Sequence, residues 1–400
     1  MRRKHYSCPR LRRSLPCMEA YREPGARDRF DPLAAVRATA PGPAGANGDG
    51  GCDLLLSGTV FQDIIFTGLG QRPEPGTEVW CQGMGSCPGG IANQAIAAAR
   101  LGLRTSLAAA FGDDGYGDSN WRILESQEEV DLSLSRRFAG WPSPVTVSLC
   151  IEHDRSMVTH GLPAPLSGSE LIGTPPPALA AVADLAEETE PWVLDAHRAG
   201  VKIFGGAGWD PSGAWSRKRL EQLGHFHAFM PNQREAMAFT GTDNPWSALY
   251  TLAEMVPVAV VTLGAQGAMA VDSESGEEEW VPALPVTAHD PTGAGDCFEA
   301  AFIVGCLAGW PLGDRLRFAN LCASLSVQEL GGSFSAPGWG DIADWWHTAN
   351  ARPERQSSQW LRRFAFLEGI VSKVPAGALR RSMLRQPAPD LPSSGLQGPH

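Results

Sequence analysis

The chain has 400 residues, 43% of them hydrophobic, and a formal net charge of −11, enough material for one large core or two modest ones. The acidic balance argues against nucleic acid as a partner, because phosphate binding relies on clustered Lys and Arg, and the longest apolar run, near Ala300–Leu312, is too short to span a bilayer. Nine cysteines without a C-x-x-C pair suggest neither a zinc site nor a thioredoxin-like motif, and their odd number favours reduced thiols, so a soluble cytoplasmic protein is expected.

Residues 1–50 read as an extension outside the folded core. Arg2, Arg3, Lys4, Arg10, Arg12 and Arg13 crowd its start, and Pro41 to Gly51 has linker composition. An Arg-rich, Ser-containing start is also compatible with a transit peptide, and Met18 is an alternative initiator. On this reading the extension is disordered and dispensable. Order begins at Asp53, where Leu54 to Val60 is a short apolar run of the kind found in buried parallel strands, followed by Phe61-Gln62-Asp63. Thr67 to Met84 holds turn residues and short β-prone pieces such as Thr77–Trp80, a first candidate for lid strands.

Ile91 to Arg100 is an alanine-rich helix former closed by Gly102. Thr105–Phe111 is a strand, Trp121–Glu128 a helix, and Val145–Ile151 with Ser156–His160 a hairpin that forms the second lid candidate. His153 and His160 at that hairpin are read as solvated rather than as substrate contacts. Pro175–Glu188 has a Pro-led helical pattern that Val193–Ala199 continues, Val201–Phe204 is a strand, and Ala214–Leu223 a basic surface helix. Val258–Thr262 is the cleanest buried strand. A helical stripe from Leu316 to Leu330 carries Asn320, suited either to an adenine or ribose contact or to a core position satisfied by backbone. From about Gly340, Trp345, Trp346, Trp360, Phe364 and Phe366 suggest an amphipathic helical add-on, and Pro387–His400 reads as disordered. Strands alternating with helices predict an α/β fold, a doubly wound and mainly parallel sheet flanked by helices. The boundaries expected are 1–50, 51–340 with lid pieces near 67–84 and 143–160, and 341–400.

The stretch His289-Asp290-Pro291-Thr292-Gly293-Ala294-Gly295-Asp296-Cys297-Phe298 opens a helix whose face is marked by Phe298, Ala301, Phe302, Gly305, Cys306 and Gly309. Its glycines therefore stand at a helix N-terminus, where free backbone N–H groups attract an anion and the missing Cβ lets a phosphate approach. Asp296 is no ligand for a phosphate, since like charges repel. It is suited to take a proton from a hydroxyl that attacks one. The competing reading is a plain helix cap.

Asp290 to Phe298 resembles the C-terminal signature of the ribokinase-like (PfkB) carbohydrate and nucleoside kinases, and other matches cover roughly residues 53–338. Gly89-Gly90, Asn93 and Leu101-Gly102 resemble the family's N-terminal signature, with one residue fewer than usual before the Asn. Gly112 to Gly117 is similar to its Gly-x-Asp-x-x-Gly turn, and Asn232 with Glu235 to its Asn-x-x-Glu motif, which alone is also an ordinary capping box. The resemblance implies a small β lid, Asp296 as catalytic base, and the amides of Gly293, Ala294 and Gly295 as the anion hole. It further implies sugar contacts from Asp63, Gly89, Gly90 and Asn93, and nucleotide-side positions at Asn232, Thr262, Gly264, Gly267 and Asn320. Glu235 would act on magnesium through water.

The function so implied is ATP-dependent phosphorylation of a hydroxyl on a small sugar or sugar-like substrate, with ATP and Mg2+ as cofactors, a monovalent cation as a further activator, and a homodimer formed through the lid. A nucleoside kinase of the same family is the alternative, followed by a non-catalytic sugar-binding relative. Neither a Gly-Lys-Ser/Thr phosphate loop nor a Gly-x-Gly-x-x-Gly dinucleotide fingerprint is present.

Overall fold

A computed structural model describes residues 30–39, 51–151, 154–207, 213–351 and 361–383. The strands are β1 (Cys52–Ser57), β2 (Val60–Thr67), β3 (Gly83–Gly90), β4 (Thr105–Ala108), β5 (Ala110–Gly112), β6 (Arg136–Phe138), β7 (Val145–Ile151), β8 (Asp154–His160), β9 (Ala178–Val182), β10 (Lys202–Gly205), β11 (Ala228–Phe229), β12 (Val258–Thr262), β13 (Ala268–Asp272) and β14 (Glu277–Val281). The helices are α1 (Ala34–Thr39), α2 (Ile91–Arg100), α3 (Gly115–Arg122), α4 (Gly168–Ile172), α5 (Pro191–Arg198), α6 (Gln233–Thr240), α7 (Pro245–Ala253), α8 (Ala294–Leu307), α9 (Leu312–Ser326), α10 (Trp339–Asn350) and the short α11 (Glu368–Val371).

An eight-stranded sheet runs in the order β14-β13-β12-β11-β10-β9-β1-β4. It is parallel from β4 to β12, and β13 and β14 return antiparallel. Its inner strands such as β1, β9 and β12 bury both faces, which is why β1 and β12 read as unbroken apolar runs, whereas the acidic edge strand β14 leaves one face to solvent. Leu54 and Leu56 of β1 and Val258 and Val260 of β12 pack with α2, α8 and α9. Leu55, Ala259 and Val261 point the other way, into a second core built on α5, α6 and α7. The sheet is thus doubly wound, and the C-terminal ends of β1, β9 and β12 open on one rim, where such sheets place their ligands.

A second sheet, β3-β2-β7-β8, covers that rim. Gly58 and Thr59 break the first apolar run, so Asp63 lies inside lid strand β2 and not at the end of β1. Residues 68–82, expected to supply lid strands, form a loop rich in Gly and Pro; the lid strands flank it. The Gly-x-Asp-x-x-Gly turn is structural. Asp114 caps α3 by accepting from the Gly117 amide at 2.9 Å and from the Ser143 hydroxyl at 2.7 Å, and a Cβ on Gly117 would stand 2.1 Å from the Gly112 carbonyl oxygen. The helix expected over Trp121–Glu128 begins earlier, at Gly115, and ends in a π turn over Ile123–Gln127.

Three expectations are corrected by packing. The helical pattern over 175–188 contains strand β9, which pairs with both β1 and β10. Ladders on both sides outweigh the helix preference of its alanines. Residues 30–39 are part of the folded unit: Leu33 is fully buried, the Phe30 ring meets Trp339 at 4.9 Å, and Arg37 pairs with the buried Asp53 at 2.7 Å. The expected boundary at 340 cuts through α10, whose Trp339, Ile342 and Trp346 are buried. Phe364 and Leu367 join the same core. Residues 1–29 with Met18 and the basic cluster, most of the linker, His153, and Pro387–His400 lie outside the described residues. His160 is exposed. No helix among the described residues is long and apolar enough to cross a membrane.

Candidate active site

The rim carries a cleft with a cavity of ≈ 480 Å³, walled on one side by Gly293, Gly295 and Asp296 and on the other by lid residues including Phe61 and Arg155. Gly293 occupies the N-cap of α8 with φ 76, a left-handed conformation natural to glycine. Asp296 is therefore the third residue of the helix, and the N-cap position, a glycine, has no side chain to cap it. Its Oδ2 instead accepts from Asn93 Nδ2 at 2.9 Å. Asn93 stands in the first turn of α2, so two helix N-termini meet at the base of the cleft. Asn93 was expected to orient substrate directly; the structure makes it the holder of the Asp296 carboxylate.

Burial raises Asp296 from its ordinary 3.8 to about 6, while the Asn93 hydrogen bond and the nearby Arg155 pull it down. Asp63 is raised further, to about 7, by burial first and then by the Asp296 charge, with Arg155 opposing. Asp296 and Arg155 line the cleft, and the buried Asp63 carboxylate lies close enough behind it to feel both charges. Gly89 is a glycine because of Asp63: a Cβ there would stand 2.1 Å from Asp63 Oδ2. Its task is to admit that side chain. Gly90, with φ 62, makes the turn from β3 into α2.

Thr262 ends β12 and, with Asn232 and Glu235, lines the cleft. Asn232 and Glu235 form a reciprocal capping box on α6, the Asn232 Oδ1 accepting from the Arg234 and Glu235 amides at 3.0 Å each. Gly264, at φ +60, has open space beside it. Gly267 is not among the residues that line the cleft, and a Cβ there would stand 2.0 Å from the Val281 carbonyl oxygen, so glycine at this position serves close chain packing. Asn320 is likewise corrected. It is buried, and its Nδ2 donates to the Val281 carbonyl at 3.0 Å, the core role.

Further residues at the site went unread in the sequence. Asp184 opens to the cleft from the end of β9, crowded enough for desolvation to raise it; it was hidden by the helical reading of its segment. Glu299 lies one turn after Asp296 and accepts a hydrogen bond from Gln94. Burial and the charges of Asp296, Asp184 and Glu235 raise it well above the usual carboxylate range. A Glu one turn after Asp296, in a helix that is apolar from there on, was the available signal. Glu235 is raised too, by burial first. Among the described residues no three His, Cys, Asp or Glu side chains are grouped to hold a metal directly.

A carboxylate beside a glycine-lined helix N-terminus, facing a second carboxylate under a lid, can activate a hydroxyl toward a phosphoryl group. The model of the pfkB family of carbohydrate kinases matches residues 181–339. A nucleoside kinase of Methanothermobacter thermautotrophicus is 30% identical over 302 residues, covering 72% of this chain and 94% of that protein. The chain belongs to the pfkB carbohydrate kinase family. The ribokinase of Bacillus subtilis is 29% identical over 300 residues, 71% of this chain and 96% of its own. The solved Arabidopsis thaliana ribokinase complexed with ribose and ATP superposes with a TM-score of 0.60 at 23% identity, covering 72% of this chain and 96% of that one. This pfkB-family chain is accordingly an ATP-dependent kinase of the carbohydrate kinase class, with a ribokinase-like fold.

Proposed function

We propose that the chain transfers the γ-phosphoryl group of ATP to a hydroxyl of a small sugar, with Asp296 as the base that takes the hydroxyl proton. The observation that carries this reading is the Asn93-held Asp296, in the first turn of a helix whose N-cap is a glycine. Asn93 fixes the carboxylate's orientation. The amides of Gly293, Ala294 and Gly295 would receive the charge developing on the transferred group, and Asp63 would accept hydrogen bonds from the sugar hydroxyls, as a carboxylate accepts from two at once. Positioning and charge stabilisation then supply most of the rate, as in other phosphoryl transfers.

The donor set suits magnesium. Asp184, Glu235 and Glu299 offer oxygen atoms along the phosphate side of the cleft, too spread to form a cage, which fits an ion that keeps most of its waters. Bound there, magnesium would neutralise phosphate charge. Behind the hole, Thr292 Oγ1 is buried without a partner among the described residues, beside the buried Asp290; these oxygens are the ones that would hold an activating monovalent cation. The outer face of the lid, with Ile64, Phe66, Val147 and Leu149 half-covered and Met84 and Val158 each 68% exposed, supports a homodimer formed through the lid. We place the enzyme in the cytoplasm, on its reduced thiols alone.

A nucleoside acceptor is the second reading. A neighbouring cavity of ≈ 230 Å³, lined by Trp141, Trp192 and Phe226, shares Gly58, Thr59 and Asp184 with the cleft and offers room for a flat group attached to the sugar. Incubation with ATP, magnesium and a panel of pentoses, hexoses and nucleosides tests both, read as ADP formed above the acceptor-free rate. Turnover with free sugars supports the first reading and turnover confined to nucleosides the second. No acceptor-dependent ADP with any of them overturns both.

A further inference from the structure

Behind the anion hole, residues 331–336 fold into a short loop that touches both halves of the site. The Asp290 carboxylate, 1% exposed, accepts from the Thr292 amide at 2.9 Å and from the Gly331 and Gly332 amides at 3.1 and 3.3 Å. It thereby joins the start of the glycine turn to the loop. The Gly332 carbonyl carbon lies 3.6 Å from where a Cβ on Gly293 would stand, so the loop backs directly on the hole. Ser333 Oγ donates to the Pro88 carbonyl at 2.6 Å, which ties the loop to the strand bearing Gly89 and Gly90.

Two guanidinium groups grip this loop from the far side. Arg100, at the end of α2 and neutralised by Glu128 at 3.0 and 2.8 Å, donates through Nη1 to the Phe334 and Ala336 carbonyls at 2.9 and 2.7 Å. Arg381 donates through Nη1 to the Leu325 carbonyl at 2.7 Å and the Ser335 carbonyl at 3.3 Å. Arg381 belongs to a strap that follows the region matched by the family model, which ends at residue 339. The strap is seated, not draped. Ala378 is fully buried, the Leu379 carbonyl accepts from the Gly340 amide at 3.0 Å, and Asp341 holds both the Arg381 amide at 3.0 Å and its Nε at 3.3 Å. Gly338 and Gly340 exist as glycines to admit it: a Cβ on the first would stand 2.4 Å from the Leu379 oxygen, and on the second 2.7 Å from the Ala378 oxygen.

We infer that Arg381 is a positioning residue for phosphoryl transfer, through which the C-terminal strap holds the 331–336 loop and, by way of Asp290, the anion-hole amides in place. Charge-assisted hydrogen bonds from a planar guanidinium to two carbonyls fix direction as well as distance. Small displacements of the hole cost rate steeply, up to about 10²-fold for an ångström. The inference rests on the phosphoryl-transfer reading of the hole.

The test compares wild type, Arg381→Ala, Arg381→Lys and Gly340→Ala for kcat, for KM of acceptor and ATP, and for Tm. Gly340→Ala lifts the strap while leaving Arg381 in the chain. Arg381→Ala is expected to lower kcat by roughly ten- to a hundredfold with acceptor KM within about twofold. Gly340→Ala should show the same split, and Arg381→Lys or millimolar guanidinium ion added to Arg381→Ala should restore part of the loss. A folded Arg381→Ala protein with wild-type kcat, or one that loses only Tm, overturns the inference. So does a wild-type kcat in Gly340→Ala with Arg381→Ala unfolded. A wild type that phosphorylates no acceptor overturns the parent reading and this one together; an active wild type matched by Arg381→Ala overturns this one alone.

Discussion

At the scale of single residues, the proposed mechanism turns on Asp296 and the Asn93 amide that holds it. Asp296→Asn keeps the shape of the side chain and removes its basicity. We expect it to fold, to bind ATP as well as wild type, and to lose turnover by roughly 10²–10⁴-fold, measured by steady-state kinetics. A base raised to about 6 must be unprotonated to work, so wild-type turnover should fall as pH drops through 6, about tenfold for each unit below it, and the Asn variant should lack that limb. Stability runs the other way for Asp63. Its folded value of about 7 lies above the ordinary 3.8, so the folded state binds the proton more tightly, and stability is lost as pH rises through 7. Asp63→Asn should therefore raise Tm at pH 8, with the gain shrinking toward pH 4, a comparison that calorimetry makes directly. Gly89→Ala drives a Cβ onto the Asp63 carboxylate. Stranding its hydrogen-bond partners costs about 1–3 kcal/mol, so acceptor KM should rise while ATP KM stays near wild type.

Among elements, the lid has two unlike faces set by strand alternation. Asp63, Ile65, Thr146 and Ser148 share the buried face, whereas Ile64, Phe66, Val147 and Leu149 turn outward with Val158 beside Val147. A four-stranded sheet this apolar on its outer side calls for a cover. If a second lid provides it, Val158→Glu should shift the mass measured by light scattering from dimer to monomer and raise acceptor KM. An unchanged mass would remove the lid from the interface. The α6 capping box shows a different economy of design: Asn232 and Glu235 start the helix with their backbone contacts and still present atoms to the cleft.

For the molecule as a whole, segments before and after the family core are structural. Phe30 meets Trp339 edge-on, Trp339 stacks on Phe318, and the Trp339 indole N–H donates to the Leu101 carbonyl at 2.8 Å. Removing residues 30–39 would expose that stack, empty the site of the fully buried Leu33, worth about 1.5–3 kcal/mol, and take Arg37 from the buried Asp53. A chain beginning at Gly51 should accordingly melt several degrees below one beginning at Phe30, on the scale of roughly 2–4 °C per kcal/mol for domains of about 150–250 residues. Equal melting temperatures would return residues 30–39 to the status of a dispensable extension.

The sequence alone determined what local chemistry determines. Gly293 to Asp296 announced a helix N-terminus with an acid in its first turn, and the apolar runs at Leu54 and Val258 announced strands buried on both faces, because backbone freedom and hydrophobic periodicity act over a few residues. Tertiary structure decided what depends on partners far away in the chain. Asn93 meets Asp296 across 203 positions, Ala178–Val182 became a strand only because β1 and β10 lay on either side of it, and Asn320 turned to the core because the Val281 carbonyl was waiting there. Asp184 and Glu299 joined the site for the same reason: a carboxylate's role is set by the charges and the burial it meets after folding, and neither is written in its neighbours along the chain.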